Sequence, residues 1–178
     1  MALTLDPALS LALRGGLALL FGAAAWHKLR DFAAFRAALC EYQLVPERAA
    51  TAAAFGLIAA ELASASALVL SARAGFAAVS LLALYSVAIG VNLARGRREI
   101  DCGCFGPAAR QPLSLALVAR NLALIALGLA CALPVGSRGL VLLDGFTIAA
   151  GIALGALVHG AVNGLLANAP RLRALRGA

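Results

Sequence analysis

The 178-residue chain is 63% hydrophobic and 13% charged, with a mean hydropathy of +0.94, which excludes a water-soluble domain of ordinary composition. Its formal net charge of +7 would point to nucleic acid in a soluble protein. Here the Arg residues fall in short connections between apolar runs, the placement of membrane topology signals, so a lipid bilayer and no nucleic acid is the expected environment.

A spanning helix needs about 20 apolar residues to cross ~30 Å of hydrocarbon. The first is expected over about 9–28, with Trp26 where an interfacial aromatic would sit. The opening MALTLDPALSLALRGG has no basic n-region and no small-residue cleavage site, so it reads as the start of a retained helix. In the next stretch Phe32, Phe35, Leu39 and Tyr42 recur at helical spacing while Arg30, Arg36 and Glu41 fall elsewhere. That pattern predicts a short amphipathic helix along the interface, stopped before Pro46.

Further spans are expected over about 49–72, 74–94, 112–133 and 140–166. Short links make the second and third, and the fourth and fifth, antiparallel hairpins, and small residues such as those of AGIALGALVHGAVNG permit close backbone approach. No linker, low-complexity tail or internal repeat divides the chain. The expected fold is therefore a single all-α, polytopic transmembrane helical bundle over 1–178, with about five spans and one interfacial amphipathic helix.

Lys28, Arg30, Arg36 and Arg48 crowd the first connection, Arg95, Arg97, Arg98 and Arg110 the third, and Arg171, Arg173 and Arg176 the C-terminal tail, whereas the other two links hold Arg73 and Arg138 alone. The positive-inside rule then predicts a periplasmic N-terminus and a cytoplasmic C-terminus, with the third connection in the cytoplasm.

That connection carries DCGCFG, residues 101–106. Cys102 and Cys104 flank Gly103 and are followed by Gly106 and Pro107, a sequence able to turn sharply and unable to continue as helix. Two thiols so close can share a strained, labile disulfide, the property of a redox-active pair, and the nearby arginines favour a thiolate while Glu99 and Asp101 offset part of that field. The plain alternative is a tight turn with inert cysteines. A zinc site drawing on Cys102, Cys104, Cys40, His27 and His159 is the third reading, but neither histidine nor Cys40 has ligand-like spacing, so no metal is expected. Cys40 is either a resolving thiol or a small apolar packing residue. Cys131 lies a whole span away, ~30 Å at about 1.5 Å per residue, and is expected only to pack.

Charges inside spans cost about 2.5–3.5 kcal/mol on insertion scales and need partners. Glu61 lies midway along the second span, and Arg120 with Asn121 early in the fourth, at depths an Arg side chain can bridge. Glu61 and Arg120 are thus a candidate buried pair, with Lys28 as the alternative partner. The group either locks helices together or forms a proton or quinone site, and quinone is the one cofactor candidate. Arg14 and Asp144, near the other face, are expected to pair similarly.

The order of features, FGAAAWHKLRDFAAFRAAL, YQLVP, AAELASASALVL, DCGCFG and then RNLALIALGL, resembles the methylamine utilisation protein MauE family within the DoxX-like group of small membrane proteins. The resemblance spans roughly 21–129 and implies a four- to five-helix bundle in the bacterial inner membrane. It also implies a role beside a thioredoxin-like, MauD-like partner in maturing the disulfide-rich small subunit of periplasmic methylamine dehydrogenase. Carried over by position, the family residues are Cys102, Cys104, Lys28, Glu61, Arg120 and Asn121; Cys40 is not among them. The expected function is a membrane thiol-disulfide redox protein that passes electrons between the Cys102/Cys104 pair and thioredoxin-like partners. The alternative is a non-catalytic assembly or scaffold factor whose cysteines hold a turn or a metal. Charge counting puts the pair in the cytoplasm and the resemblance puts its clients in the periplasm, so the two expectations conflict on sidedness.

Overall fold

The computed structural model describes the backbone of residues 4–103 and 111–176 and the side chains through residue 169. Its helices are α1 (Pro7–Arg30), α2 (Phe32–Glu41), α3 (Glu47–Leu70), α4 (Gly75–Ala94), α5 (Leu115–Cys131) and α6 (Leu142–Arg176), with one 3-10 turn, Ala72–Ala74, between α3 and α4. The chain is an all-α multi-pass membrane protein. Pro7–Arg30, Glu47–Leu70, Ala72–Ala94 and Leu142–Ala169 are long and apolar enough to cross a bilayer.

The expected fourth span shrinks to the 17 residues of α5, about 26 Å of helix. Its first residues are taken by the preceding loop instead. Asp101 and Pro112 form an isolated antiparallel bridge, in which Cys102 N–H donates to Gln111 O at 2.9 Å and Leu113 N–H to Ile100 O at 3.1 Å. Pro112 has no N–H to give an α-helix, so extended backbone is the natural conformation there. At its far end the chain turns out of helix after Cys131, and Leu5 pairs in parallel with Val135.

Asp31 joins α1 to α2 without a loop: it ends α1 and its carboxylate accepts the Ala34 N–H at 3.1 Å, capping α2. α2 lays Phe35 and Tyr42 inward, and Phe32 stacks on Phe55 of α3 at 4.6 Å between ring centroids. The predicted amphipathic face is thus the one that is buried.

Close backbone approach holds the spans together. A Cβ placed on Gly75 of α4 would lie 2.3 Å from the Gly128 carbonyl oxygen of α5, and one on Gly151 of α6 would meet the Ala12 methyl of α1 at 3.3 Å. Cys131 is fully buried in this packing, among Leu17, Phe21, Leu68 and Leu82, at the end of the bundle opposite the 101–113 loop. Side chains such as Leu142, Phe146, Leu154 and Leu157 of α6 stay exposed, as an apolar face turned to lipid would be.

At that opposite end Arg14 and Asp144 do not pair. Arg14 donates from Nε to Leu68 O and from Nη2 to Val69 O, both at 2.7 Å, satisfying carbonyls that the end of α3 leaves without helical partners. Asp144 instead binds Arg138 through two hydrogen bonds of 2.7 and 2.8 Å, and the same guanidinium holds Asp6 through two of 2.7 and 2.9 Å. Arg138 is nearer in the chain to Asp144, and its planar fork fits both carboxylates at once.

Candidate functional site

The loop at 100–113 is closed by its own side chains. The Asp101 carboxylate accepts the N–H groups of Gly103 and Gln111 through one oxygen, each at 3.2 Å, so a single acid ties the two arms of the loop. Gly103 follows with φ +73, a left-handed conformation that favours glycine, and it lies against Ala38 and Phe35 of α2. Gly103 thus takes the conformation expected of a glycine at a turn, docked on the amphipathic helix, and the remainder of the predicted turn lies outside the described residues.

This docking seats Cys102 inside. The residue is 9% exposed, packed with Tyr42, Ile89, Ile100, Leu113 and Leu117, and the Tyr42 hydroxyl donates to its carbonyl at 3.4 Å. Cys104 and Arg110 lie outside the described residues. Cys40, at the end of α2, is a half-buried free thiol. Its neighbours Leu39 and Tyr42 line a cavity that Cys102 also lines, but Cys40 does not.

That cavity, of about 330 Å³, runs between the end of α1, α2, α3 and α4, with Cys102 and Gly103 on one wall and Lys28 and Tyr85 on another. Lys28 and Glu61 form a buried ion pair there, with side chains only 2% and 1% exposed. The Tyr85 hydroxyl donates to the same Glu61 oxygen, Oε1, at 2.7 Å. The Lys28 ammonium also sits 5.2 Å from the Phe35 ring centroid and 5.3 Å from that of Tyr85.

Glu61 therefore takes Lys28, the alternative partner, and not Arg120. The Arg120 guanidinium is drawn along its own side of the bundle, to the Asn121 side-chain oxygen at 3.1 Å and to that of Asn163 on α6. Asn163 in turn accepts from Gln111 at the base of the loop, at 3.0 Å through its carbonyl. Glu61, Arg120 and Asn121 still line one smaller cavity of about 70 Å³, together with Tyr85 and His159, while Lys28 lines the larger one. Tyr85 borders both cavities.

The two histidines separate. His27 lines a narrow cleft with Lys28, Asp31 and Asp101, while His159 lines the Glu61–Arg120 cavity. Among the described residues no three His, Cys, Asp or Glu side chains gather as a metal set would.

Tyr85, Gln111 and Asn163 are site residues that the sequence did not single out, and Tyr42 stood out only as part of the amphipathic face. Tyr85 had a legible signal, as one of only two tyrosines in the chain and a hydroxyl placed deep in a span. Gln111 had none, because its neighbour across the bundle is Asn163, 52 positions on.

Residues 6–134 match the family model described as Methylamine utilisation protein MauE. The chain is similar to the methylamine utilization protein MauE of Paracoccus denitrificans, 43% identical over 131 residues that cover 72% of this chain and 70% of the relative. It is 42% identical to that of Methylorubrum extorquens, over 76% of this chain and 75% of the relative, and 33% identical to that of Methylophilus methylotrophus, over 86% and 84%. No solved structure matches at a significant level.

Proposed function

The chain belongs to the methylamine utilisation protein MauE family, and from that premise we propose that it serves methylamine utilisation as a membrane thiol-disulfide redox protein. Cys102 and Cys104 are its working pair. The observation that carries the reading is the seat of Cys102: a thiol in a side-chain-closed, glycine-turned loop, on the wall of a cavity between membrane helices. A purely structural cysteine needs no second thiol one residue away, and the pair's spacing favours a labile disulfide.

Exchange runs through a mixed disulfide. One thiolate of the pair attacks a disulfide of a thioredoxin-like partner, the second thiolate resolves the intermediate, and the partner leaves as a dithiol while the pair becomes a disulfide. Run in reverse, the same steps oxidise the partner. The partner class and the client, a disulfide-rich periplasmic protein such as the small subunit of methylamine dehydrogenase, follow from the family resemblance. The protein resides in the bacterial inner membrane. Arg36, Arg95, Arg97 and Arg98 sit at the loop end of the bundle, which supports a cytoplasmic loop and a periplasmic N-terminus.

Trapping tests the redox role. Cys102→Ser and Cys104→Ser variants, expressed in cells, are expected to accumulate a mixed disulfide with a thioredoxin-like protein, visible on non-reducing gels and absent from the double variant. Full methylamine growth with both cysteines replaced by serine would sink it in favour of a scaffold. Sidedness is read separately with Glu99→Cys, an exposed loop position, in a background lacking the four native cysteines. Labelling of intact cells by an impermeant maleimide would reverse the orientation.

A further inference from the structure

The 330 Å³ cavity is more than the space beside a thiol. Its size falls in the range of about 300–1,000 Å³ typical of small-molecule sites. Its walls are aliphatic and aromatic, with Phe35, Tyr42, Leu57, Tyr85 and Ala88 among them. On its rim Leu44 is 42% exposed and Leu84 53% exposed, so the cavity reaches the outer, lipid-facing surface of the bundle. A ligand with a flat ring inside and a hydrocarbon tail outside fits these surroundings.

One lining side chain is charged, and it says more about the occupant. The buried Lys28 ammonium carries three N–H donors. Among the described residues Glu61 takes one of them, and the ammonium otherwise faces the Phe35 and Tyr85 rings. Buried donors without acceptors are costly, about 1–3 kcal/mol each, so a ligand oxygen is favoured at this wall. Glu61 already balances the lysine charge, which disfavours an anionic headgroup and selects a neutral acceptor. A saturated acyl chain would offer no oxygen at all.

We infer that the cavity binds the headgroup of a membrane quinone, with Lys28 donating to a quinone carbonyl, the aromatic side chains flanking the ring, and the isoprenoid tail leaving past Leu44 and Leu84. The ligand's redox use rests on the thiol reading above. A dithiol that becomes a disulfide releases two protons and two electrons, and one quinone takes up both and leaves as quinol. Cys102 lines the same cavity, so the acceptor and the loop are neighbours.

Wild-type protein in nanodiscs of neutral phospholipid, titrated with decylubiquinone, is expected to bind one molecule per chain saturably. An excess of dodecane is expected not to displace it. An azidoquinone is expected to crosslink within 53–57 and 84–89, where α3 and α4 line the cavity. Ala88→Trp, which fills the space, is expected to weaken binding at least tenfold. No saturable binding, crosslinks confined to residues outside the cavity lining, or equal competition by dodecane overturns the site, and these three readouts use the unaltered chain, so misfolding of the variant decides nothing. A mixed disulfide trapped in Cys102→Ser without quinone binding removes this site and leaves the thiol reading standing. Quinone binding without any trapped partner does the reverse.

Discussion

Lys28 of α1 and Glu61 of α3 are joined by an ion pair from which water is almost entirely excluded, and Tyr85 of α4 donates to the same carboxylate oxygen at 2.7 Å. Three helices therefore meet at one acid. Glu61 Oε2 has no hydrogen-bond partner among the described residues, so the carboxylate depends on Lys28 and Tyr85 for its compensation. Removing one member of a buried pair leaves the other charge uncompensated and costs about 3–5 kcal/mol. Glu61→Leu and Lys28→Met are each expected to lower thermal stability in detergent sharply, and the double variant to recover much of the loss. Additive losses in that cycle would show that the pair is not coupled.

The crossing of α4 and α5 makes a steric prediction. A side chain at Gly75 would collide with the Gly128 carbonyl, a backbone atom that cannot swing away, whereas Gly90 on the same helix has open space around its Cα. Gly75→Leu is expected to cost about 1–3 kcal/mol or more as overpacking. Gly90→Ala is expected to be neutral or to stabilise by up to about 1 kcal/mol through helix propensity. Yields of monodisperse protein on size-exclusion chromatography, with unfolding midpoints, separate the two.

Asp101 reinforces the backbone bridge that closes the loop. Its carboxylate accepts two backbone N–H groups, and each such bond is worth about 0.5–1.5 kcal/mol net. Asp101→Ala is expected to open the loop and raise the alkylation rate of Cys102 by roughly tenfold, the equivalent of about 1.4 kcal/mol of lost protection. Mass spectrometry of iodoacetamide-treated protein, resolved at Cys102, measures it. An unchanged rate would show that the backbone bridge and the packing around Cys102 bury the thiol without Asp101.

The opposite end of the bundle predicts an acid response. Hydrogen bonding from Arg138 holds the Asp6 carboxyl below its ordinary value of 3.8. A depressed folded-state pKa contributes stability that is complete above the unfolded value and is lost as pH falls through the folded one. The tie between the N-terminus and the α5–α6 connection is therefore expected to hold at neutral pH and to loosen only below about pH 4. Limited proteolysis after Leu5 with an acid-active protease follows this loosening, and Arg138→Gln should expose the N-terminus already at neutral pH.

The spans, the amphipathic character of α2, the turn at Gly103 and the seclusion of Cys131 were legible in the chain because each depends on local quantities: hydropathy over about 20 residues, a 3.6-residue period, a glycine needed for a left-handed turn. The family, too, was carried by short motifs, DCGCFG and RN above all. Partnership was not legible in this way. Depth along the membrane allowed Glu61 to reach either Lys28 or Arg120, and allowed Arg14 to reach Asp144. Only the rotation of each helix about its axis, and the order in which the helices neighbour one another, turned Glu61 to Lys28, sent Arg120 to Asn163 and gave Arg14 to the carbonyls of α3. Those rotations are set by close packing at places such as Gly75 against Gly128, where contacts far apart in sequence decide which faces meet. The cavity beside Cys102 is the same kind of outcome, a space bounded by four helices and a loop that no single stretch of the chain encodes.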